Sequence, residues 1–161
     1  MVSSQKNDTL LDVQTDKSNK SIKNKKNNTT HPVELEYWYI LPAIRRSIST
    51  YLKSEKKLKQ KEIASILGIT EAGVSQYLKG TRGVLKSTDD EIIELPDWIH
   101  SEVSISCDQI LDAKGDESIF LREVNRLIIV IRDRASEFLC KLHYQLGFAD
   151  EDCDICLSSS S

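Results

Sequence analysis

The stretch "QKEIASILGITEAGVSQYLKG", Gln60–Gly80, decides the fold. It holds two short helical patterns, Leu58–Leu67 and Thr70–Lys79, which meet at Gly68. Two helices that cross steeply through a tight turn need a small residue where they touch, and Ala64 supplies it. The turn favours a left-handed backbone, which glycine adopts without steric cost, and Gly68 supplies that. Inward contacts fall at Ile63, Leu67, Ile69, Val74 and Tyr77, all apolar or aromatic. Thr70 is suited to cap the second helix, and Gly80 to end it. Each of these positions has its own steric reason, and together they predict a helix-turn-helix.

Charge is unevenly spread around this unit. The chain of 161 residues has a net charge of −3. Residues 45–86 carry ten basic and three acidic residues, or +7, whereas residues 87–161 carry six basic and seventeen acidic, or −11. The second helix itself is nearly uncharged. The middle of the chain therefore attracts a polyanion that the C-terminal part repels. The longest apolar run, "LIIVI" at Leu127–Ile131, is too short to cross a bilayer, and the first twenty residues lack the apolar centre of a signal peptide. The expectation is a cytoplasmic protein with no membrane partner.

Outward from the motif, residues 1–30 are rich in Lys, Asn, Ser, Thr and Asp without apolar period, and predict a disordered basic tail. Residues 31–86 form the predicted helix-turn-helix domain. In residues 34–54, Leu41, Ile44, Ile48 and Tyr51 or Leu52 recur at helical spacing, and Pro42 should start or kink a helix. Residues 87–96 read as an acidic linker. Residues 97–161 read as a helical region, with one helix from Asp97 to about Asp112. A longer one runs from about Ser118 to Leu146 and stops at Gly147. In this last helix Leu121, Val124, Ile128, Ile131, Ala135, Phe138 and Leu142 alternate in steps of three and four, a coiled-coil-type seam. Such a seam packs against its own chain or forms a homodimer interface. The fold class expected is all-α, a helix-turn-helix domain followed by a C-terminal region with a long amphipathic helix.

The pattern Gln60, Ile63–Ala64, Leu67–Gly68–Ile69, Thr70, Val74–Ser75, Tyr77 and Gly80 resembles the helix-turn-helix of lambda-repressor-like (Xre-type) transcriptional regulators. "LPAIRR" before the motif, "RG" after it, and "LPDWI" with a cysteine-bearing tail beyond resemble short archaeal-type predicted regulators of this class. The resemblance covers about twenty residues closely and residues 34–86 loosely. It implies that the second helix enters the major groove of double-stranded DNA. Glu71, Ala72, Ser75, Gln76 and Lys79 would then face outward. Gln76 is suited to adenine and Glu71 to cytosine N4 or to the helix N-terminus, while Ser75 is permissive. Gln60 lies where the family often touches phosphate, and Thr70 opens the second helix. Lys59, Lys61, Lys79 and Arg82 are phosphate candidates, with Arg45, Arg46, Lys56 and Lys57 behind them. Gly73 costs about 1 kcal/mol relative to alanine inside a helix. It would permit close approach either to DNA or to the first helix.

The tail "FLCKLHYQLGFADEDCDICLSSSS" raises a second chemistry. Cys140, His143, Cys153 and Cys156 have the C-x2-H-x9-C-x2-C spacing that suits tetrahedral zinc. Cys107 with Cys140, Cys153 and Cys156 would instead suit an iron–sulfur cluster. Cys153 and Cys156 alone would suit a thiol–disulfide switch. Small buried side chains in helices are the remaining reading. His31 and His100 lack partners at ligand spacing. No phosphate loop, serine-nucleophile setting or acid–base carboxylate pair is present, so an enzyme is not expected. The function predicted is a sequence-specific, dimeric transcriptional regulator controlled by a metal or redox centre. The alternative is a protein–protein adaptor or antitoxin-like protein.

Overall fold

The structure is a computed structural model that describes residues 30–158. The expected tail at residues 1–30 therefore lies, all but Thr30, outside the described residues. The architecture is all-α with one small hairpin. In order come α1 (Pro32–Leu35), a π-helical segment (Glu36–Ile40), α2 (Leu41–Ser54), α3 (Gln60–Leu67) and α4 (Glu71–Leu78). Then follow β1 (Leu85–Lys86), β2 (Ile92–Ile93), α5 (Asp97–Asp112), α6 (Glu117–Arg134), α7 (Ser136–Gln145) and α8 (Ile155–Ser158). Among the described residues no helix is long and apolar enough to cross a membrane.

The first helical stretch starts on a histidine cap. His31 Nδ1 accepts from the Val33 N–H at 3.2 Å, Glu34 accepts from the His31 N–H at 2.8 Å, and Pro32 takes the first helical position. His31 is thus a structural residue. The helix runs on through the π-helical segment into α2. A proline inside an α-helix removes a donor and pushes its ring against the carbonyl four residues back. Here the turn before Pro42 is widened: the Leu41 N–H bonds to Glu36 O, five residues back. The start or kink expected at Pro42 is realised as this wide turn, and the chain continues helically beyond it.

α2 is the central helix. Ala43, Ile44, Ile48 and Leu52 lie on its buried face, and it packs against α3, α4, α5 and α6. One hydrophobic core extends from Leu35 to Cys156. The boundary expected after residue 86 therefore falls inside a continuous core. Residues 87–96, expected as a linker, contain the return strand of a hairpin, paired antiparallel as Leu85↔Ile93 and Lys86↔Ile92. Ser87 closes it: its hydroxyl accepts from the Asp89 and Glu91 N–H groups, and its own N–H donates to Glu91 O. Three of the four acidic residues that suggested a solvated linker, Asp89, Asp90 and Glu91, are the exposed turn of this hairpin. The Thr88 N–H donates to Gln145 O at 3.0 Å and ties the turn to the end of α7.

The single helix expected from about Ser118 to Leu146 is two helices. α6 ends and α7 begins at Ala135, which has φ −119° and ψ 28°. No glycine or proline marks the break. The apolar stripe continues across it and is used by the chain itself. Val124, Leu127, Ile131, Ala135, Leu139, Leu142 and Leu146 are buried in the shared core. Each large aliphatic side chain so buried contributes about 1.5–3 kcal/mol. The first residue of the expected seam, Leu121, is exposed. The seam thus packs mainly against its own chain. The stop at Gly147 is as expected, with φ +77° and the Phe148 N–H returning to His143 O.

Two ion-pair clusters fasten the C-terminal helices. Glu36, 8% exposed, receives both the Nε and the Nη2 of Arg132, at 2.9 and 2.6 Å. A buried carboxylate needs such bidentate pairing to offset its lost hydration. Arg126 on α6 reaches Glu102 and Ser106 on α5, and Glu123 on its own helix. Its guanidinium, with that of Arg134, holds the Glu102 carboxyl below the usual range.

Gly83 has φ +77°, and a Cβ there would collide with Pro42 O and lie 2.9 Å from Arg46 Cβ. The chain after α4 thus crosses α2 at backbone contact. We expect Gly83→Ala to destabilise the fold by about 3 kcal/mol, from left-handed strain and overpacking together. Urea unfolding of the full chain measures it.

Candidate nucleic-acid interface

The turn between α3 and α4 is built locally. The Glu62 carboxylate accepts from the Lys59 N–H at 2.7 Å and fixes the start of α3. Gly68 ends it at φ +65°, and the Ile69 N–H reaches back to Ala64 O at 3.0 Å. Nothing lies within 4 Å of a Cβ at Gly68, so only its backbone angle requires glycine. Thr70 Oγ1 then accepts from the Gly73 N–H at 3.1 Å and caps α4. That oxygen is committed to the cap. Gly73 is buried, and its Cβ position lies 3.4 Å from the side chains of Ile69 and Thr70. A Cβ there would sit at ordinary contact distance.

Ile63, Ala64, Leu67, Val74 and Tyr77 are buried, and Ile69 is half-buried, as the spacing predicts. The opposite face of α4 is open: Glu71, Ala72, Gln76 and Lys79 are exposed, and Ser75 is half-buried. Gln60 is half-buried at the first position of α3, and Thr70 is exposed at the cap. Lys59, Lys61, Lys79 and Arg82 are exposed. Among the described residues none of these four forms a salt bridge, whereas Lys56 pairs with Asp108 at 2.8 Å and Lys86 with Asp90 at 3.0 Å. The hydrogen bond to Asp108 raises the Lys56 pKa, and this side chain is engaged within the protein. Arg45 and Arg46 are half-buried, with Nε atoms that have no partner among the described residues.

Two features of this region were not legible in the sequence. The guanidinium of Arg82 stacks over the Tyr77 ring, 5.0 Å from its centroid, and is held at the C-terminal end of α4. A cleft of about 610 Å³ lies behind the turn, between Ser65–Gly68 and the start of α6, with Arg45 and Phe120 in its wall. Both join segments that are distant in sequence or folded back by the turn, and no local pattern reports such contacts.

The expected metal residues divide into two groups. Cys107 is fully buried on α5, and burial pushes its thiol up to about 12, with Asp108 adding to the shift and Lys56 opposing it. None of the other cysteines acts on it. Cys140 on α7 and Cys153 in the following loop are half-buried, and Cys156 on α8 is buried. Cys156 is pushed up to about 12, first by burial, then by Cys140, which is hydrogen-bonded to it, and by Cys153. All four are free thiols. Among the described residues no three His, Cys, Asp or Glu side chains already stand so as to hold a metal ion. His143 is 2% exposed, and its Nε2 lies 2.8 Å from Thr30 O. His100 is exposed on α5.

No family model matches the chain, and no curated protein and no solved structure matches it significantly.

The Tyr77 hydroxyl is buried without a partner among the described residues. An unsatisfied buried hydroxyl costs about 1–3 kcal/mol. Tyr77→Phe should therefore leave stability unchanged or raise it, while Tyr77→Ala should cost about 3–5 kcal/mol. Thermal unfolding of both variants checks the pair.

Proposed function

We propose that the protein is a sequence-specific, double-stranded-DNA-binding transcriptional regulator, in which α3, the turn and α4 act as a helix-turn-helix. The observation that carries this reading is the exposed, nearly uncharged face of α4 inside a frame of unpaired cations. Short polar side chains on a helix read base edges, and cations around it hold phosphates. Gln76 and Ser75 are the base readers, with Glu71 and Ala72 beside them at the helix start. Lys59, Lys61, Lys79 and Arg82 bind the backbone, and Gln60 assists at the start of α3. Two half-sites separated by roughly 34 Å would call for two copies, and a homodimer would use a surface other than the buried stripe of α6 and α7.

An adaptor or antitoxin-like role is the second reading. The observation that favours it is the exposure of Val33, Tyr37 and Trp38 on the first helical stretch, with the two rings in edge contact at 5.0 Å.

Salt separates the two. If four cations each neutralise a phosphate, log K for duplex DNA should fall with log salt at a slope of about −3.6 per bound copy. Lys79→Ala should weaken binding to all duplexes and reduce that slope by about 1. Gln76→Ala should reduce the preference for a selected duplex over a random one by about 1–3 kcal/mol, with the slope unchanged. Fluorescence anisotropy at several salt concentrations measures all three. No binding to duplexes selected from a random pool, or binding indifferent to salt, would rule this reading out.

A further inference from the structure

A buried histidine that merely fills a core has both ring nitrogens satisfied. His143 does not. With Thr30 O as acceptor, Nε2 carries the proton and Nδ1 keeps a bare lone pair. That Nδ1 is buried and has no partner among the described residues. A backbone carbonyl that receives one ring N–H while the other nitrogen stays free is the arrangement around a metal-bound histidine.

The surroundings supply soft donors. His143 lies one helical turn beyond Cys140 on α7, so the two share a face. α8, which carries Cys156, packs on α7, which carries Cys140 and His143, and both Cys140 and Cys153 act on the Cys156 thiol. Cys153 and His143 line one cavity of about 320 Å³, together with Thr30 and Phe148. Three thiols and one imidazole nitrogen therefore gather at one end of the fold.

We propose that Cys140, His143, Cys153 and Cys156 form a closed tetrahedral zinc site that fastens the segment after α7 to the helical core. Three sulfurs and one nitrogen are a donor set that structural zinc takes. An iron–sulfur cluster held by four thiolates would need Cys107, whose charged neighbours are Asp108 and Lys56. The donors do not already stand in ligating geometry. Closure falls to residues 147–158, which bring two of the four ligands. The proposal does not depend on the DNA-binding reading.

The test uses the full chain, purified reduced and without oxygen, stripped by a chelator and titrated with cobalt(II). One cobalt per chain should bind, with the visible bands of tetrahedral coordination and a near-ultraviolet thiolate charge-transfer band, and zinc should abolish both. His143→Gln and Cys153→Ser should each weaken cobalt binding at least about tenfold, and Cys107→Ser should leave it unchanged. X-ray absorption at the zinc edge of the wild-type protein reads the same shell without a variant. Three sulfurs at about 2.3 Å and one nitrogen at about 2.0–2.1 Å support the site. The absence of tetrahedral cobalt bands, a shell of four sulfurs, or loss of binding in Cys107→Ser overturns it. So does a Cys140–Cys156 disulfide that forms equally fast with and without zinc.

Discussion

Burial of the α2 stripe underlies everything else in this structure. Ile44, Ile48 and Leu52 are fully buried, and α2 touches the α3–α4 pair on one side and α5 and α6 on the other. The two halves of the chain have opposite net charge. A shared apolar helix gives them one core. The wide turn before Pro42 lets the same helix begin ten residues earlier and carry Glu36 to Arg132. The Gly83 crossing then holds the end of the α3–α4 unit on α2.

The stripe along α6 and α7 shows why a heptad pattern does not by itself specify a partner. An apolar face of this width must be buried, but sequence is silent on what buries it. Here α5 and the first helical stretch do so, aided by the Glu36–Arg132 pair and the Arg126 cluster. Beyond the break at Ala135 the second half of the stripe, Leu139, Leu142 and Leu146, stays buried. Leu121, Ile129 and Tyr144 remain outside.

The tail shows a different limit. Spacing alone left zinc, an iron–sulfur cluster and a disulfide open, because a cysteine pattern does not say which thiols meet. Cys107 lies fully buried on α5, with Asp108 and Lys56 as its charged neighbours. The fold also leaves His143 with one ring nitrogen that has no partner among the described residues, the other being held by a carbonyl more than a hundred residues away in sequence.

By itself the sequence determined the elements whose cause is local. The places of α3 and α4, with α3 starting at Gln60 where Leu58 was expected, the left-handed Gly68, the Thr70 cap and the inward set Ile63, Ala64, Leu67, Val74 and Tyr77 all follow from side chains within four residues of each other. So do the start of α5 after Pro96 and the stop at Gly147. The outward face of α4 was legible for the same reason, since a helix period places one face once the other is known. Tertiary structure alone decided the hairpin hidden in the acidic stretch, the split at Ala135, the path of Gly83 over α2 and the grouping of the cysteines. The Gly83 crossing depends on contacts between residues far apart in the chain, which leave no periodic trace in sequence, while the hairpin turn and the Ala135 split carry neither glycine nor proline to announce them.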